Sequence, residues 1–459
     1  MPRRVCITGI GIIAPNGETK DEFWSNCLAG NAGVSPIPGQ WYSYSDFVST
    51  LWTRLPEIHW EKYPVSRIER MQQGKATLML CAASHQALAD AGLQNRLVDP
   101  RKGVYCIDAV DPLRTGVFIG TGIGGISTFI ENQAYHTFTP IRAVLDTTDE
   151  AAGNIPGQSS SSTRRESLDK LMVMPFRFNP FAVSITMPNA CSAIPGIKYG
   201  LKGPNRTFPG ACAAGTIAIG NAFRAIQSGA SDCALTGGVE YLFDPFGGLF
   251  KGFDLAKALV TDCSDPETAN RPFDSDRSGF LFSEGGAAVL VLEEESHAKN
   301  RGAGIIAEIT GFAESFDAHN IMIMEPSGKE IERMLVAALA DAPVSARDID
   351  YINAHATGTR VNDQTEAAVI ERMFGKKPLV NSTKSLIGHT LGASGAIEAA
   401  VTALSIRNST THVCKNLENP VRDLNFVTES RSYDITCALS QSFAFGGHNA
   451  ALVMRRYGD

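Results

Sequence analysis

Short β-rich runs alternate with longer helical stretches from one end of the chain to the other, which confines it to folds whose helices cover a sheet. The runs include Arg4–Ile7, Thr115–Ile119, Cys233–Leu235, Ala287–Leu292, Asp350–Asn353 and Ala451–Met454. Helical patterns span Lys75–Ala91, Thr216–Ser228, Lys329–Ala340 and Thr365–Phe374. The alternation predicts parallel, covered sheets. At 459 residues the chain is long for one simple domain, so two fused or duplicated units, or one large α/β body, are expected. Apolar residues make up 44% and charged residues 19%, enough for a large core and incompatible with disorder as the main state.

An internal echo bears on duplication. Ile7-Thr8-Gly9-Ile10-Gly11 resembles Ile309-Thr310-Gly311-Phe312-Ala313 about 300 residues later. Each opens a segment that reaches a small-residue helix start: Gly210-Ala211-Cys212-Ala213-Ala214-Gly215, and Gly388-His389-Thr390-Leu391-Gly392-Ala393. A true duplication places Cys212 and His389 at equivalent helix starts, facing each other across a pseudo-twofold axis. The division is then residues 1–300, carrying the cysteine, and 301–459, carrying the histidines. The stretch Asn132–Phe181 has little pattern and reads as an insertion or loop. Another irregular stretch, Pro36–Tyr63, holds Trp41, Trp52 and Trp60 and suits a cap.

A net charge of −7 speaks against an extended nucleic-acid footprint, though not against a small basic patch. No run approaches the roughly 20 apolar residues of a membrane span. The opening Met1–Gly9 is too short for a secretory signal and suits a first strand. Ten scattered cysteines with no Cys-x-x-Cys pair fit neither a zinc site nor a disulfide scaffold, so reduced, cytosolic cysteines are expected.

Gly120-Thr121-Gly122-Ile123-Gly124-Gly125 follows a strand and loosely matches a dinucleotide fingerprint, with Asp146 as the acid; a tight strand-to-helix turn is the competing and simpler reading. Cys212 precedes a helical run, where the macrodipole and free backbone N–H groups favour thiolate and should lower its pKa. This segment alone fits a nucleophile and a buried structural cysteine equally. Cys191 sits in a similar context, but Pro195-Gly196 should break a helix there, which leaves it loop or packing. His355, in Asn353-Ala354-His355-Ala356-Thr357-Gly358-Thr359, stands at a strand's carboxyl end, where α/β sheets bind ligands. Lys384 and His389 lie five residues apart before another helix. Two histidines in glycine-rich turns with a lysine beside one favour chemistry over structure. Ser442-Phe443-Ala444-Phe445-Gly446-Gly447-His448-Asn449, taken alone, is a β-turn with two core aromatics.

Together these segments resemble the elongating β-ketoacyl-[acyl-carrier-protein] synthases, types I and II, of the thiolase superfamily. The resemblance spans nearly the whole chain. It includes Val5–Gly11 with Phe23-Trp24, Gly120–Gly125, Tyr199-Gly200-Leu201-Lys202-Gly203-Pro204 and Arg271-Pro272-Phe273-Asp274. Gly279-Phe280 with Glu284-Gly285, Thr383-Lys384-Ser385 with Gly388-His389, and Phe445-Gly446-Gly447 with Asn449 continue it in order.

What the resemblance implies is an α/β thiolase-like fold, a duplicated five-layered α-β-α-β-α arrangement with an insertion or cap. It implies Cys212 as the acyl-accepting nucleophile, and His355 and His389 as N–H donors to the enolate formed when a malonyl thioester loses carbon dioxide. Lys384 would fix His355. Phe445 would supply an oxyanion-hole N–H and gate the site. Thr357 and Thr359 would lie near the pantetheine or the malonyl carboxylate. Asp363, Glu366 and Glu398 would orient the lysine and histidines or hold a structural cation. It also implies no redox cofactor and no catalytic metal, with substrates carried on the phosphopantetheine of acyl carrier protein. The carrier would dock on a basic patch including Arg67 and Arg70, and the chain would form a homodimer by strand pairing.

Departures from the family pattern are Ala356 and Ala444 where glycine is usual, His448 for a common threonine, Pro209-Gly210 before the cysteine, and the long Asn132–Phe181 segment. They bear on acyl-chain preference and gate motion. A polyketide or polyene ketosynthase would share every catalytic residue. A chain-length factor normally lacks the cysteine, and a degradative thiolase needs a second, late cysteine that Cys437 is misplaced to supply.

Overall fold

The computed structural model describes residues 2–152, 178–261, 263 and 265–458, with the backbone alone for 140 and 142–152. Ten strands form one sheet: β1 Val5–Ile13, β2 Thr115–Thr121, β3 Asn205–Pro209, β4 Cys233–Tyr241 and β5 Gly285–Glu294 from the first part of the chain. β6 Ala307–Phe316, β7 Tyr351–Asn353, β8 Leu379–Asn381, β9 Cys437–Ala444 and β10 His448–Arg455 come from the second. The spatial order is β8-β7-β9-β10-β6-β1-β5-β4-β2-β3. Outward from the centre the two sides repeat one topology, β1-β5-β4-β2-β3 and β6-β10-β9-β7-β8. They meet where β1 pairs antiparallel with β6, Cys6 opposite Glu308, as a twofold axis requires.

The echoed sequences mark the same local event on both sides. The register slips between Ile7 and Gly9 on β1, and between Ile309 and Gly311 on β6. A Cβ on Gly9 would lie 2.2 Å from the Ala87 carbonyl oxygen, and one on Gly311 2.5 Å from that of Ala338. Each bulge therefore needs glycine where a helix crosses closely. Helix α1, Lys75–Asp90, ends on Asp90, which accepts from Ile10 N–H at 2.9 Å. Helix α3, Lys329–Asp341, ends on Asp341, which accepts from Phe312 N–H at 2.9 Å.

The expectation of parallel sheets holds only for the outer pairs, β2 with β3 and β4, and β7 with β8 and β9. The inner pairs are antiparallel. The cause is visible at β9–β10, where three residues, Phe445–Gly447, join the strands; so short a link permits only a hairpin. Helices α2, Ala214–Gln227, and α4, Ser394–Asn408, lie between the two halves of the sheet and touch strands of both. With α1 outside one half and α3 outside the other, the layers run α-β-α-β-α. β1 and β4 are buried nearly throughout, which explains their continuous apolar runs.

The central helices cross through small residues. A Cβ on Gly215 would stand 2.6 Å from Ala396 N, and one on Gly395 2.2 Å from Thr216 Oγ1. Gly395→Ala should therefore cost about 3 kcal/mol, the upper end of overpacking, as a lowered urea midpoint. Gly304→Ala, with no atom within 4 Å of its Cβ, is the matched control and should stay near wild type.

Two local expectations are corrected. Residues 126–152 form a helix, Ile126–Ala152, so the first part of the Asn132–Phe181 segment is not loop; residues 153–177 lie outside the described residues. Pro140 falls inside this helix, where a proline removes one backbone hydrogen bond without forcing an end. Cys191 also lies in a helix, Ala190–Lys198, that continues through Pro195. It is buried there in the outer core, as a packing residue.

Candidate active site

The chain leaves β3 at Pro209 and turns into α2 through Ala211, whose φ of 45° is left-handed. Leu391 repeats that turn before α4, also at φ 45°. The residue equivalent to Cys212 is thus Gly392, and His389 sits three residues upstream of it. His355 follows β7 at the strand's carboxyl end, and Lys384 opens the short helix Lys384–Ile387 after β8. The His389 backbone N–H bonds to Leu281 O at 2.8 Å, which anchors its loop to the other half of the molecule.

These remote residues meet. His389 Nε2 lies 3.1 Å from Cys212 Sγ, and the His355 and His389 rings are 5.6 Å apart, edge to face. The backbone N–H groups of Phe445 and of Cys212 itself pull the thiol toward thiolate. Lys384 Nζ reaches His355 Nδ1 at 3.2 Å, His355 O at 2.7 Å and the Glu398 carboxylate. An ammonium only donates, so His355 Nδ1 accepts and its proton sits on Nε2. Asn270 donates to the Lys384 carbonyl and steadies this hub.

Asp363 and Glu366 act on the backbone of the His355 loop. Glu366 accepts from His355 N at 2.8 Å, Ala356 N at 2.7 Å and Gln441 Nε2 at 2.6 Å. Asp363 accepts from Thr357 N at 3.1 Å, Phe273 N at 2.7 Å and Gly358 N. Asn362 donates to both, so these carboxylates have no oxygen to spare for a cation.

Burial governs the electrostatics. It pushes the Cys212 thiol up to about 12, against the opposing pull of Lys384 and the Phe445 N–H. The lowering expected from the helix start is outweighed, because an aromatic cluster including Trp41, Trp52, Phe250, Phe280 and Phe282 packs around the cysteine. Burial also holds His355 and His389 well below 6.5, with Lys384 adding to both shifts, so both are neutral imidazoles.

Glu398 is pushed up to about 7 by burial, with Lys384 opposing. Lys384→Met should therefore cost about 3–5 kcal/mol, since a buried carboxylate loses the one cation that pairs with it among the described residues. The sign with pH follows from Glu398 titrating higher folded than unfolded. The folded variant binds the extra proton, so the loss should be greater at pH 8 than at pH 5 in urea unfolding. Adding Glu398→Leu should recover part of it.

A cavity of ≈ 970 Å³ opens onto Cys212, His355 and His389, and Thr357, Thr359 and Phe445 line it as well. Thr357 and Thr359 Oγ1 atoms are 2.9 Å apart. The Phe445 ring stacks on Phe253 at 6.4 Å. Gly446 N–H bonds to Ile321 O at 2.7 Å and Asp317 N–H to Gly447 O at 2.8 Å, so the Phe445 turn is tied to the loop 317–324. Phe253 and this loop escaped sequence reasoning. Arg67 and Arg70 are exposed on the helix Arg67–Gln72 and are not among the residues lining the cavity. Cys437 begins β9, at the opposite end from Ala444 and Phe445.

The dinucleotide reading fails on two observations. Residues 143–146 are helical rather than the end of a strand. The turn N–H groups are also already taken: buried Glu240 accepts from Gly122 at 2.6 Å, Ile123 at 3.1 Å and, from the other half, Gly392 at 3.2 Å.

Two copies of one five-strand unit, joined at β1 and β6 with a cysteine and two histidines between them, make this a thiolase-fold condensing enzyme of the acyltransferase class. Residues 2–298 match the family model for the N-terminal domain of β-ketoacyl synthase and residues 306–418 that for its C-terminal domain. The chain belongs to the β-ketoacyl synthase family. It is 34% identical to 3-oxoacyl-[acyl-carrier-protein] synthase 2 of Synechocystis sp., covering 99% of this chain and 98% of that one. It is 35% identical to the protein of the same name from Staphylococcus aureus, over 99% of each. Among solved structures it resembles a β-ketoacyl synthase from Burkholderia phymatum, with TM-score 0.80, 30% identity and 99% of each chain covered. It also resembles a type II polyketide ketosynthase solved with its acyl-carrier protein, with TM-score 0.77, 28% identity, and 99% and 100% covered.

Proposed function

We propose that the protein elongates acyl chains in fatty acid biosynthesis by decarboxylative condensation with malonyl-acyl-carrier protein. The observation that carries this is the convergence of His389 Nε2 on Cys212 Sγ at 3.1 Å, with the His355 ring 5.6 Å from that of His389 in the same cavity.

Cys212 attacks the acyl thioester, and the N–H groups of Cys212 and Phe445 stabilise the oxyanion. The C–S bond to pantetheine breaks, and the proton lost by the thiol ends on the pantetheine sulfur. A malonyl thioester then places its carbonyl oxygen between the His355 and His389 imidazoles. Carbon dioxide leaves, and the electron pair it releases is held as an enolate by two N–H donors. The enolate carbon attacks the acyl carbonyl on Cys212, and collapse of the tetrahedral intermediate expels the Cys212 thiolate. Phe445, clasped by Phe253, gates the cavity, and Thr357 and Thr359 face the incoming arm.

Both imidazoles must stay neutral to donate in this way. Because they titrate well below 6.5, no histidine step should appear in malonyl decarboxylation between pH 8 and pH 6. A fall near pH 6.5 that persists in Glu398→Gln, which removes the carboxyl beside Lys384 that titrates at about 7, would show a histidine changing charge.

The basic helix carrying Arg67 and Arg70 suits an acidic carrier. Edge strand β3, paired on one side only, suits a homodimer, and the sequence divides near residue 300 into its two units. Ten unpaired cysteines suit the cytoplasm. A polyketide role is the second reading, favoured by the likeness to the carrier-bound polyketide ketosynthase. Condensation assays with saturated and polyketide acyl groups of graded length on carrier protein decide between them. Turnover of saturated acyl chains supports the proposal, and turnover of polyketide chains alone refutes it.

A further inference from the structure

His355 has Lys384 to fix its tautomer, whereas among the described residues no cation bonds to Nδ1 of His389. What reaches it is Ser394 Oγ at 3.0 Å, and Ser394 Oγ lies 2.9 Å from Thr390 Oγ1. Ser394 is the first residue of α4, and Thr390, Ser394 and His389 are all buried, so a hydroxyl hydrogen without an acceptor there is costly.

Hydrogen counting gives this three-membered chain a direction. Two hydroxyls bring two hydrogens, and among the described residues Thr390 Oγ1 has no bond other than that to Ser394. If His389 Nδ1–H donated to Ser394, one of the two hydroxyl hydrogens, that of Ser394 or that of Thr390, would be left without an acceptor. In the opposite sense Thr390 donates to Ser394, Ser394 donates to His389 Nδ1, and both hydrogens are used. That sense puts the imidazole proton on Nε2, facing Cys212 and the cavity.

We infer that Ser394, oriented by Thr390, is a positioning residue that locks His389 as its Nε2–H tautomer, a standing hydrogen-bond donor rather than a base. Ser394 thereby does for His389 with a neutral hydroxyl what Lys384 does for His355 with a charge. The pocket faces two N–H groups and gains only one buried cation, which suits a site that must gather a single enolate oxygen. The inference rests on the condensing role proposed above.

The test is nitrogen-15 NMR of histidine-labelled full-length protein, with His389 assigned by its loss in His389→Ala, combined with assays of the two half reactions. In the wild type, His389 should show a protonated Nε2 and an unprotonated Nδ1. Ser394→Ala should mix the two tautomers. Malonyl decarboxylation should fall about tenfold to a hundredfold, part of the loss expected for a missing oxyanion donor, with acylation of Cys212 less affected. Ser394→Thr should restore both the signal and the rate, which a variant that merely loosened the helix start would not. Thr390→Val should move both readouts the same way by less. A wild-type His389 protonated on Nδ1 overturns the inference, as does a Ser394→Ala protein with tautomer and decarboxylation unchanged. If the wild type releases no carbon dioxide from malonyl thioester, the condensing role is what fails, and the NMR signal still decides the tautomer.

Discussion

Cys212→Gln is expected to lose condensation and acyl transfer by at least about 10⁴-fold while still releasing carbon dioxide from a malonyl thioester. The two outcomes separate because acylation needs the sulfur itself, whereas the two imidazoles are held in place by other groups. Only the sulfur of Cys212 can accept the acyl group, and an amide cannot form a thioester in its place. The proposed donors to the malonyl oxygen, His355 and His389, are held by Lys384, Ser394 and the backbone bond to Leu281, none of which passes through the sulfur. Carbon dioxide release from malonyl carrier protein, beside product formation from acyl and malonyl carriers together, reads both. A variant inert in both would mean that the histidines cannot act without the nucleophile.

The second large effect is on those histidines. On the proposed mechanism His355→Ala removes one of two N–H donors from a buried site, where one such donor is worth about 10²–10³-fold. Decarboxylation should fall by that amount while acylation of Cys212 survives. His389→Ala should match it in decarboxylation but also slow acylation, because His389 alone touches the sulfur, at 3.1 Å. Equal effects of both substitutions on acylation would contradict this division of labour.

How far the sequence foretold this varies with the kind of residue. Strands buried on both faces announced themselves: β1 and β5 are almost wholly apolar, and Cys233–Leu235 needed only its carboxyl end extended to Tyr241. The echo at Gly9 and Gly311 was legible because a bulge crossed closely by a helix tolerates only glycine. Cys212, His355, His389 and Lys384 stood out as reactive types in glycine-rich turns, yet nothing local showed that positions 212, 355 and 389 meet.

What escaped depends on distant partners. Burial of Cys212 comes from residues such as Trp41, Phe250 and Phe282, far from it in sequence, so the rise in its pKa could not be read from the helix start alone. The Gly120–Gly125 turn looked open to a phosphate because its occupant, Glu240, arrives from another strand. An acid closing the apolar run Ala234–Glu240 was the one available hint. The helix from Ile126 was hidden by Pro140 and polar neighbours, since length and packing override a single poor helix former.

On the proposed mechanism one thioester is made on Cys212 and consumed by a malonyl unit held at His355 and His389. The most direct test is mass spectrometry of the peptide containing Cys212 after incubation with acyl carrier protein, before and after adding malonyl carrier protein. The account predicts about one acyl group per chain on Cys212, discharged by malonyl carrier in the wild type and retained in His355→Ala. An acyl group on any other residue, or discharge that proceeds equally without His355, would contradict it.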